Sequence, residues 1–144
     1  MTNGSRLTPD KLYAVSIPII LCSSPKRVFR WLEEGHYQQI NLNLEIAKGL
    51  LVLPKVERIS KINKVITDII SRFAGPIYIE NYEILFDPRY EIDVIKVFIE
   101  IARRQKVVVK WCGRLNGDSL EYATPDDRDY HSFRIQDYDI TCVI

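Results

Sequence analysis

The sequence predicts one α/β domain in three layers, a mainly parallel sheet with helices on both faces. Short apolar runs alternate with segments whose apolar residues recur at helical spacing, which is typical of strands joined by crossover helices. Of the 144 residues, 47% are hydrophobic and 27% charged, so the chain can bury a core without disulfides or metal. No internal repeat or linker divides the chain. We therefore expect a single domain over residues 1–144, with the polar residues 1–11 flexible.

Two strands and three helices are predicted in the first half. Pro18 cannot donate a ladder hydrogen bond, so the first strand is placed after it, at residues 19–22, and the second at residues 37–42. The first helix is expected between Ser23-Ser24-Pro25 and Gly35, with Val28, Phe29 and Leu32 buried. The second is expected between an Asn43 cap and Pro54, with Leu44, Ala47, Leu50 and Leu51 buried. The buried face expected for the third helix consists of Val56, Ile59, Ile62, Ile66, Ile69, Ile70 and Phe73. The third pattern is the clearest and predicts one helix over residues 56–73.

The second half predicts two further strands, one helix and a hairpin. Residues 77–79 and 107–111 are the strands, and residues 91–105 between them form the helix. Its expected inward residues are Ile92, Ile95, Phe98, Ile99 and Ala102. Asn116-Gly117 supplies the positive φ angles of a tight turn, so residues 115–122 are predicted to form a C-terminal β-hairpin.

Cysteine usage and hydropathy point to a cytoplasmic protein without a membrane partner. No apolar run approaches the length of a membrane span, and the N-terminus has no apolar signal segment. Cys22, Cys112 and Cys142 are scattered inside apolar runs, which is typical of reduced, buried thiols. His36 and His131 are isolated, so a histidine-rich metal site is not expected.

The charge is distributed unevenly although the net charge is only +1. Residues 1–74 have eleven Lys or Arg and six Asp or Glu, whereas residues 75–144 have nine and thirteen. Such polarity suits a charged partner, including DNA, or a self-complementary homo-oligomer, and ordinary chains also show it by chance.

Four segments follow predicted strands and are candidate ligand sites, because ligands of open parallel sheets bind at the carboxyl ends of strands. They are residues 22–27, 41–43, 80–87 and 111–114. The third is the most informative, since Glu80 and Glu83 stand where an apolar strand ends. They are the candidate catalytic residues, and Glu80 is the candidate Mg²⁺ ligand beside a nucleotide's phosphates. The alternative is an acidic loop that caps the next helix.

Several stretches stand out by their order and spacing: Ile-Asn-Leu-Asn-Leu-Glu at 40–45, Tyr-Ile-Glu-Asn-Tyr-Glu-Ile-Leu-Phe-Asp at 78–87, Val-Val-Lys-Trp-Cys-Gly-Arg-Leu at 108–115, and Leu-Glu-Tyr-Ala-Thr-Pro at 120–125 with Tyr130 after it. They resemble the small P-loop proteins of type 3 BREX phage-defence systems, the BrxF family. The resemblance covers residues 12–144. It implies a compact AAA-like (ASCE-type) P-loop NTPase fold, ATP and Mg²⁺ as ligands, and work beside other defence proteins on DNA.

The chain departs from that family at the phosphate loop, Gly-x-x-x-x-Gly-Lys-Ser/Thr, whose amides cradle phosphates. Here it reads Leu21-Cys22-Ser23-Ser24-Pro25-Lys26-Arg27-Val28. There is no glycine, and proline removes one amide. The resemblance leaves Ser23, Ser24, Lys26 and Arg27 at the residual phosphate-binding position.

Two further departures concern the acid and the residue after Trp111. Glu80 stands where the family has its Mg²⁺-associated aspartate, and Cys112 replaces a polar residue that would sense the γ-phosphate. Together the three departures predict a fold that is kept and a catalytic loop that is lost, so enzymatic activity is not expected and no cofactor is required.

Basic residues suggest a different function. Arg58, Lys61, Lys64, Asp68 and Arg72 fall on the face of the long helix opposite the isoleucines, with Lys55 just before them. Such a stripe can bind the DNA backbone in a salt-dependent, sequence-blind manner, and a solvated helix face gives the same pattern.

Three functions stay open at this point. The first, which we favour, is a non-catalytic or weakly active P-loop-fold component of a BREX-type antiviral system, acting through protein or DNA contacts. The second is an active Mg-ATP-dependent ATPase in which Ser24, Lys26 and Glu80 do the family's work. The third is a non-enzymatic DNA-binding module that uses the basic helix 55–72.

Overall fold

Six parallel strands form the central sheet, in agreement with the predicted mainly parallel α/β fold. The computed structural model describes residues 3–4, 17–23 and 26–143. In chain order the sheet strands are β1 (Asn3–Gly4), β2 (Ile19–Leu21), β3 (Gln38–Asn41), β4 (Ile77–Glu80), β5 (Val107–Lys110) and β9 (Thr141–Val143). Their spatial order is β1-β9-β2-β5-β4-β3, and every neighbouring pair is parallel. Of residues 1–11, expected to be flexible, only Asn3–Gly4 belong to the described part.

Four α-helices cover the sheet in the described part of the chain. They are α1 (Lys26–Glu34), α2 (Leu42–Leu51), α3 (Ile62–Ser71) and α4 (Val94–Ala102), and short 3₁₀ helices lie at Lys55–Glu57, Glu83–Phe86, Pro88–Tyr90 and Ile135–Asp137. Alternate side chains of the strands point to opposite faces. One face packs with α2, α3 and α4 into the larger core, and the other packs with α1 through Val28 and Leu32. No helix in these ranges has both the length and the apolar character needed to cross a membrane.

A second, antiparallel sheet confirms the predicted C-terminal hairpin and extends it. Its strands are β6 (Arg114–Asn116), β7 (Ser119–Tyr122) and β8 (His131–Arg134), in the order β6-β7-β8. Gly117 has a φ of 61°, as expected for the turn. Neither β8 nor β9 was predicted. Both are strands of three or four residues, too short for a periodic signal.

The long helix predicted over residues 56–73 is wrong in its first two turns. A 3₁₀ turn follows Pro54, the Ser60 hydroxyl donates to the Glu57 carbonyl at 3.1 Å, and α3 begins only at Ile62. Side-chain bonding to nearby carbonyls competes with helix continuation here. Ile62, Ile66, Ile69 and Ile70 are buried as predicted. Val56 and Ile59, expected in the same stripe, are 91% and 45% exposed.

The buried face predicted for the second helix is confirmed at Leu50 and wrong at Leu44 and Leu51. The N-cap is Asn41 rather than Asn43, and its Oδ1 accepts from the Leu44 amide at 3.1 Å. β3 runs directly into α2, so the helix starts at Leu42, two residues earlier than expected, and packs on the sheet through a different face. The residues buried from α2 are Leu42, Ile46 and Leu50, while Leu44 and Leu51, which were expected inside, are 51% and 71% exposed.

The remaining differences concern element ends. The helix predicted over residues 91–105 is the shorter α4, because the Asp93 carboxylate caps it by accepting from the Lys96 amide at 3.2 Å. Phe29, expected in the buried stripe of α1, lies at the rim of that core with its ring against the edge of Tyr78.

Candidate functional site

A cleft of about 460 Å³ opens at the carboxyl ends of β4 and β5. Because these two strands are parallel neighbours, two of the four segments named from the sequence meet at one edge of the sheet. The residues that line the cleft are Glu80, Asn81, Glu83, Lys110, Trp111, Cys112 and Tyr122. Both acidic candidates are therefore in the same cleft, with Lys110 as its cation.

Glu80 ends β4 and is held by neighbouring polar groups. Its Oε2 accepts from the side-chain amide of Gln39 on β3 at 2.9 Å. Tyr78 lies two residues before Glu80 on the same face of the strand. The pKa of the Tyr78 hydroxyl is raised, mainly because the hydroxyl is buried and secondly because the Glu80 carboxylate is near. Asn81 then takes a left-handed φ of 54°, which turns the chain sharply away from the sheet.

Glu83 folds back onto its own loop. Its Oε1 accepts from the Tyr82 amide at 2.9 Å, and its Oε2 lies 3.5 Å from the side-chain nitrogen of Asn43. The Oδ1 of Asn43 accepts from the Ile84 amide at 3.0 Å, and the Asn43 amide donates to the Asn81 carbonyl at 2.6 Å. Asn43, expected as a helix cap, instead ties α2 to the acidic loop.

Tyr82 is the buried residue that joins the two strand ends, and sequence reasoning missed its role. Its hydroxyl donates to the Lys110 carbonyl at 2.7 Å and accepts from the Cys112 amide at 3.1 Å. Burial raises the pKa of Tyr82 well above its usual value, and burial raises the pKa of the Cys112 thiol to about 12. The available signal was an aromatic residue two positions after the strand-end acid Glu80.

The small sheet forms the far wall of the cleft through aromatic contacts. The indole nitrogen of Trp111 donates to the Glu121 carbonyl at 3.2 Å and lies 3.3 Å from the Arg114 carbonyl. The ring of Phe86 stacks on Tyr122, with ring centres 3.9 Å apart and planes inclined by 8°. The hairpin is thus fixed against the loop that carries Glu83.

The residues at the phosphate-loop position lie apart from this cleft. β5 stands between β2 and β4, and neither Ser23 nor Lys26 lines the cleft, although both are exposed. Ser24 and the side chain of Arg27 lie outside the described residues. Among residues 3–4, 17–23 and 26–143 no group of three or more His, Cys, Asp or Glu side chains is arranged to hold a metal ion.

Cys22, which precedes the phosphate-loop position, has the thiol of Cys142 as a neighbour. The Cys22 amide donates to the Val143 carbonyl at 2.8 Å, which brings the end of β2 beside β9. A hydrogen bond from the buried Cys142 thiol lowers the pKa of Cys22, and the same hydrogen bond together with burial raises the pKa of Cys142. All three cysteines are free thiols.

The five basic residues predicted as one helical stripe do not form one. Lys55 lies in a 3₁₀ turn, and the Nε of Arg58 donates to the Leu53 carbonyl at 3.1 Å. Lys61 pairs with Glu57 at 2.9 Å and Arg72 with Glu45 at 3.6 Å, while Lys64 is exposed on α3. Two of the five charges are therefore next to a carboxylate.

We expect the variant with Lys61→Glu and Lys64→Glu to elute from immobilised duplex DNA at the same salt concentration as wild type. The reason is that carboxylates already neutralise part of this surface, which leaves too few phosphate contacts for tight binding. The matched control reverses two exposed cations elsewhere, Arg128→Glu and Arg134→Glu. A loss confined to the lysine variant, with a salt slope reduced by about 2, would contradict this and assign DNA to α3.

No protein-family model, curated protein or solved structure matches this chain.

Proposed function

We propose that this chain is a P-loop-NTPase-like domain of the AAA (ASCE) type, and that it serves in the cytoplasm as a non-catalytic or weakly active component of a BREX-type antiviral system. Two observations together carry the proposal: the order of the strands in the sheet, and the sequence of the segment that joins β2 to α1. The order supports the fold that the resemblance implies, and the chain between β2 and α1 has no glycine.

The sheet order supports the fold assignment. In the fold that the resemblance implies, one additional strand separates the strand before the phosphate loop from the strand that ends in the Mg²⁺-associated acid. Here β5 separates β2 from β4, and β4 ends in Glu80. The same order places β9 on the other side of β2, which supports the proposed fold.

The side chains of the cleft support a non-catalytic role. The carboxylates of Glu80 and Glu83 each accept hydrogen bonds from protein groups, which compete with a metal ion for the same oxygens. The chain between β2 and α1 has no glycine, and Pro25 has no amide hydrogen, so the backbone donors of a phosphate cradle are incomplete. These groups do not fit Mg-ATP, and we derive no step through it.

The proposal predicts that protection against phage depends on the chain but not on its acid. In a host whose defence system includes this chain, deleting its gene is expected to abolish protection. Complementation by wild type and by Glu80→Gln is expected to restore it equally, because the acid does no chemistry. The readout is the efficiency of plaquing, with Glu91→Gln, an exposed carboxylate outside the cleft, as matched control.

A calorimetric titration with ATP and Mg²⁺ completes this test. We expect no heat of binding up to millimolar nucleotide and hydrolysis at background. Turnover that disappears in both Glu80→Gln and Lys26→Ala would overturn the non-catalytic role in favour of an ATPase. Unchanged protection after gene deletion would overturn the role in defence itself.

A further inference from the structure

Four large apolar side chains are exposed within nine residues of chain, and we call them the 51–59 patch: Leu51, Val52, Val56 and Ile59, which are 71%, 81%, 91% and 45% exposed. Burying each such side chain would contribute about 1.5–3 kcal/mol, so leaving all four in water forgoes a large stabilisation. Large exposed apolar side chains clustered along one short segment are typical of an interaction site.

A groove of about 430 Å³ lies beside the patch, and Leu51 and Ile59 belong to both. Its other lining residues are Ala47, Leu50, Lys55, Arg58, Ile84, Arg89 and Tyr90. Three of these are cations, and none of the described lining residues is acidic. Arg89 is neutralised by Asp87, to which it donates at 2.6 Å, whereas Arg58 is bonded through Nε to a neutral carbonyl. The groove therefore combines an apolar floor with a net positive rim.

We propose that the 51–59 patch and its groove bind an amphipathic, acidic helix of a partner protein. The apolar face of such a helix would cover the patch, and its carboxylates would meet Lys55 and Arg58. The lining residues lie in α2 and in 3₁₀ or turn segments, so no strand edge is present there for a partner strand to extend. A helix laid in the groove is the recognition mode that this surface offers.

A second copy of the chain fits this surface less well. None of the four described helices has a net negative charge: α2, α3 and α4 have one Lys and one Asp or Glu apiece, and α1 has three basic and two acidic residues. None is the acidic helix that the positive rim selects. A helix of a different protein is therefore the better fit, and the sedimentation measurement below tests the second copy.

This assignment rests on the proposed role in protein contacts, and it names the contact surface. Its test is a fluorescence-polarisation titration with a labelled helical peptide of about 18 residues, with leucines at i, i+3, i+4 and i+7 and glutamates elsewhere. A second peptide replaces every glutamate by lysine. The titration reads binding to the patch whether or not the chain serves in phage defence, so failure of one proposal is distinguishable from failure of the other.

We expect the acidic peptide to bind with a Kd of about 10–100 μM and the basic peptide to bind at least about tenfold more weakly. The variant with Val52→Ser and Val56→Ser, and separately Lys55→Glu, should each weaken the acidic peptide about tenfold or more. Lys64→Glu, an exposed lysine outside the groove, is the matched charge control and should bind as wild type does. Because both valines are exposed, their replacement leaves the core intact.

Three results would overturn the proposal. The first is equal binding of the two peptides, and the second is equal effects of Lys55→Glu and Lys64→Glu. The third is a wild-type dimer in sedimentation that the double valine variant converts to a monomer, because a second copy would then be the occupant.

Discussion

Replacing Gly113 by alanine is expected to reduce the free energy of unfolding by about 3 kcal/mol or more. A Cβ at this position would overlap the carbonyl oxygen of Glu121 and lie 2.9 Å from its carbonyl carbon, so the backbone must move. That movement would separate β7 from the segment after β5 and would loosen the indole of Trp111, which donates to the same carbonyl. Urea unfolding followed by tryptophan fluorescence measures the loss.

Gly117→Ala is the matched control for this glycine. Gly117 has a φ of 61° and open space around the Cβ position, so alanine there meets only the strain of a left-handed backbone, about 1–2 kcal/mol. If the two variants unfold at the same urea concentration, the close approach of Gly113 to β7 is incorrect.

Truncating Tyr82 to alanine is expected to cost about 3–5 kcal/mol, and Tyr82→Phe about 1–3 kcal/mol. Alanine removes a fully buried ring that packs edge-on against Phe98, with ring centres 5.0 Å apart. Phenylalanine keeps the ring but leaves the Lys110 carbonyl and the Cys112 amide without their shared partner. Both values come from chemical denaturation at neutral pH.

Tyr138→Phe supplies the comparison, because this half-buried hydroxyl donates to the Asp93 carboxylate at 2.7 Å and its loss should cost about 1 kcal/mol. The pKa of Tyr82 is raised in the folded state, so its hydroxyl stabilises the fold fully below the ordinary tyrosine pKa of about 10 and progressively less above it. If Tyr82→Phe unfolds at the same denaturant concentration as wild type, the bridging role of Tyr82 is refuted.

The cleft and the 51–59 groove share one short segment. Glu83 lines the cleft, and Ile84, the next residue, lines the groove. Asn43 holds both, since it bonds to the Glu83 carboxylate and to the Ile84 amide. A partner seated in the groove would therefore contact the loop that carries the acidic side of the cleft.

The sequence by itself determined the parallel α/β core, the isoleucine face of α3 and the hairpin at Asn116-Gly117. These features rest on local rules: alternation of strands with helices, the 3.6-residue period, and the positive φ that glycine accepts at a turn. It also placed Glu80 and Glu83 at a strand end, because an apolar run that stops at an acid can be seen without the fold.

Only the tertiary structure decided the phase of α2, the exposure of Val56, and the close contacts of Tyr82 and Gly113. β3 passes directly into α2 at Asn41, and the helix then packs on the sheet through Leu42, Ile46 and Leu50 while Leu44 and Leu51 are exposed. A helical period shows which residues share a face but not whether anything packs against it, which is why Val56 was expected inside. Tyr82 and Gly113 contact segments distant in sequence or on another strand, and such contacts arise from packing rather than from local preference.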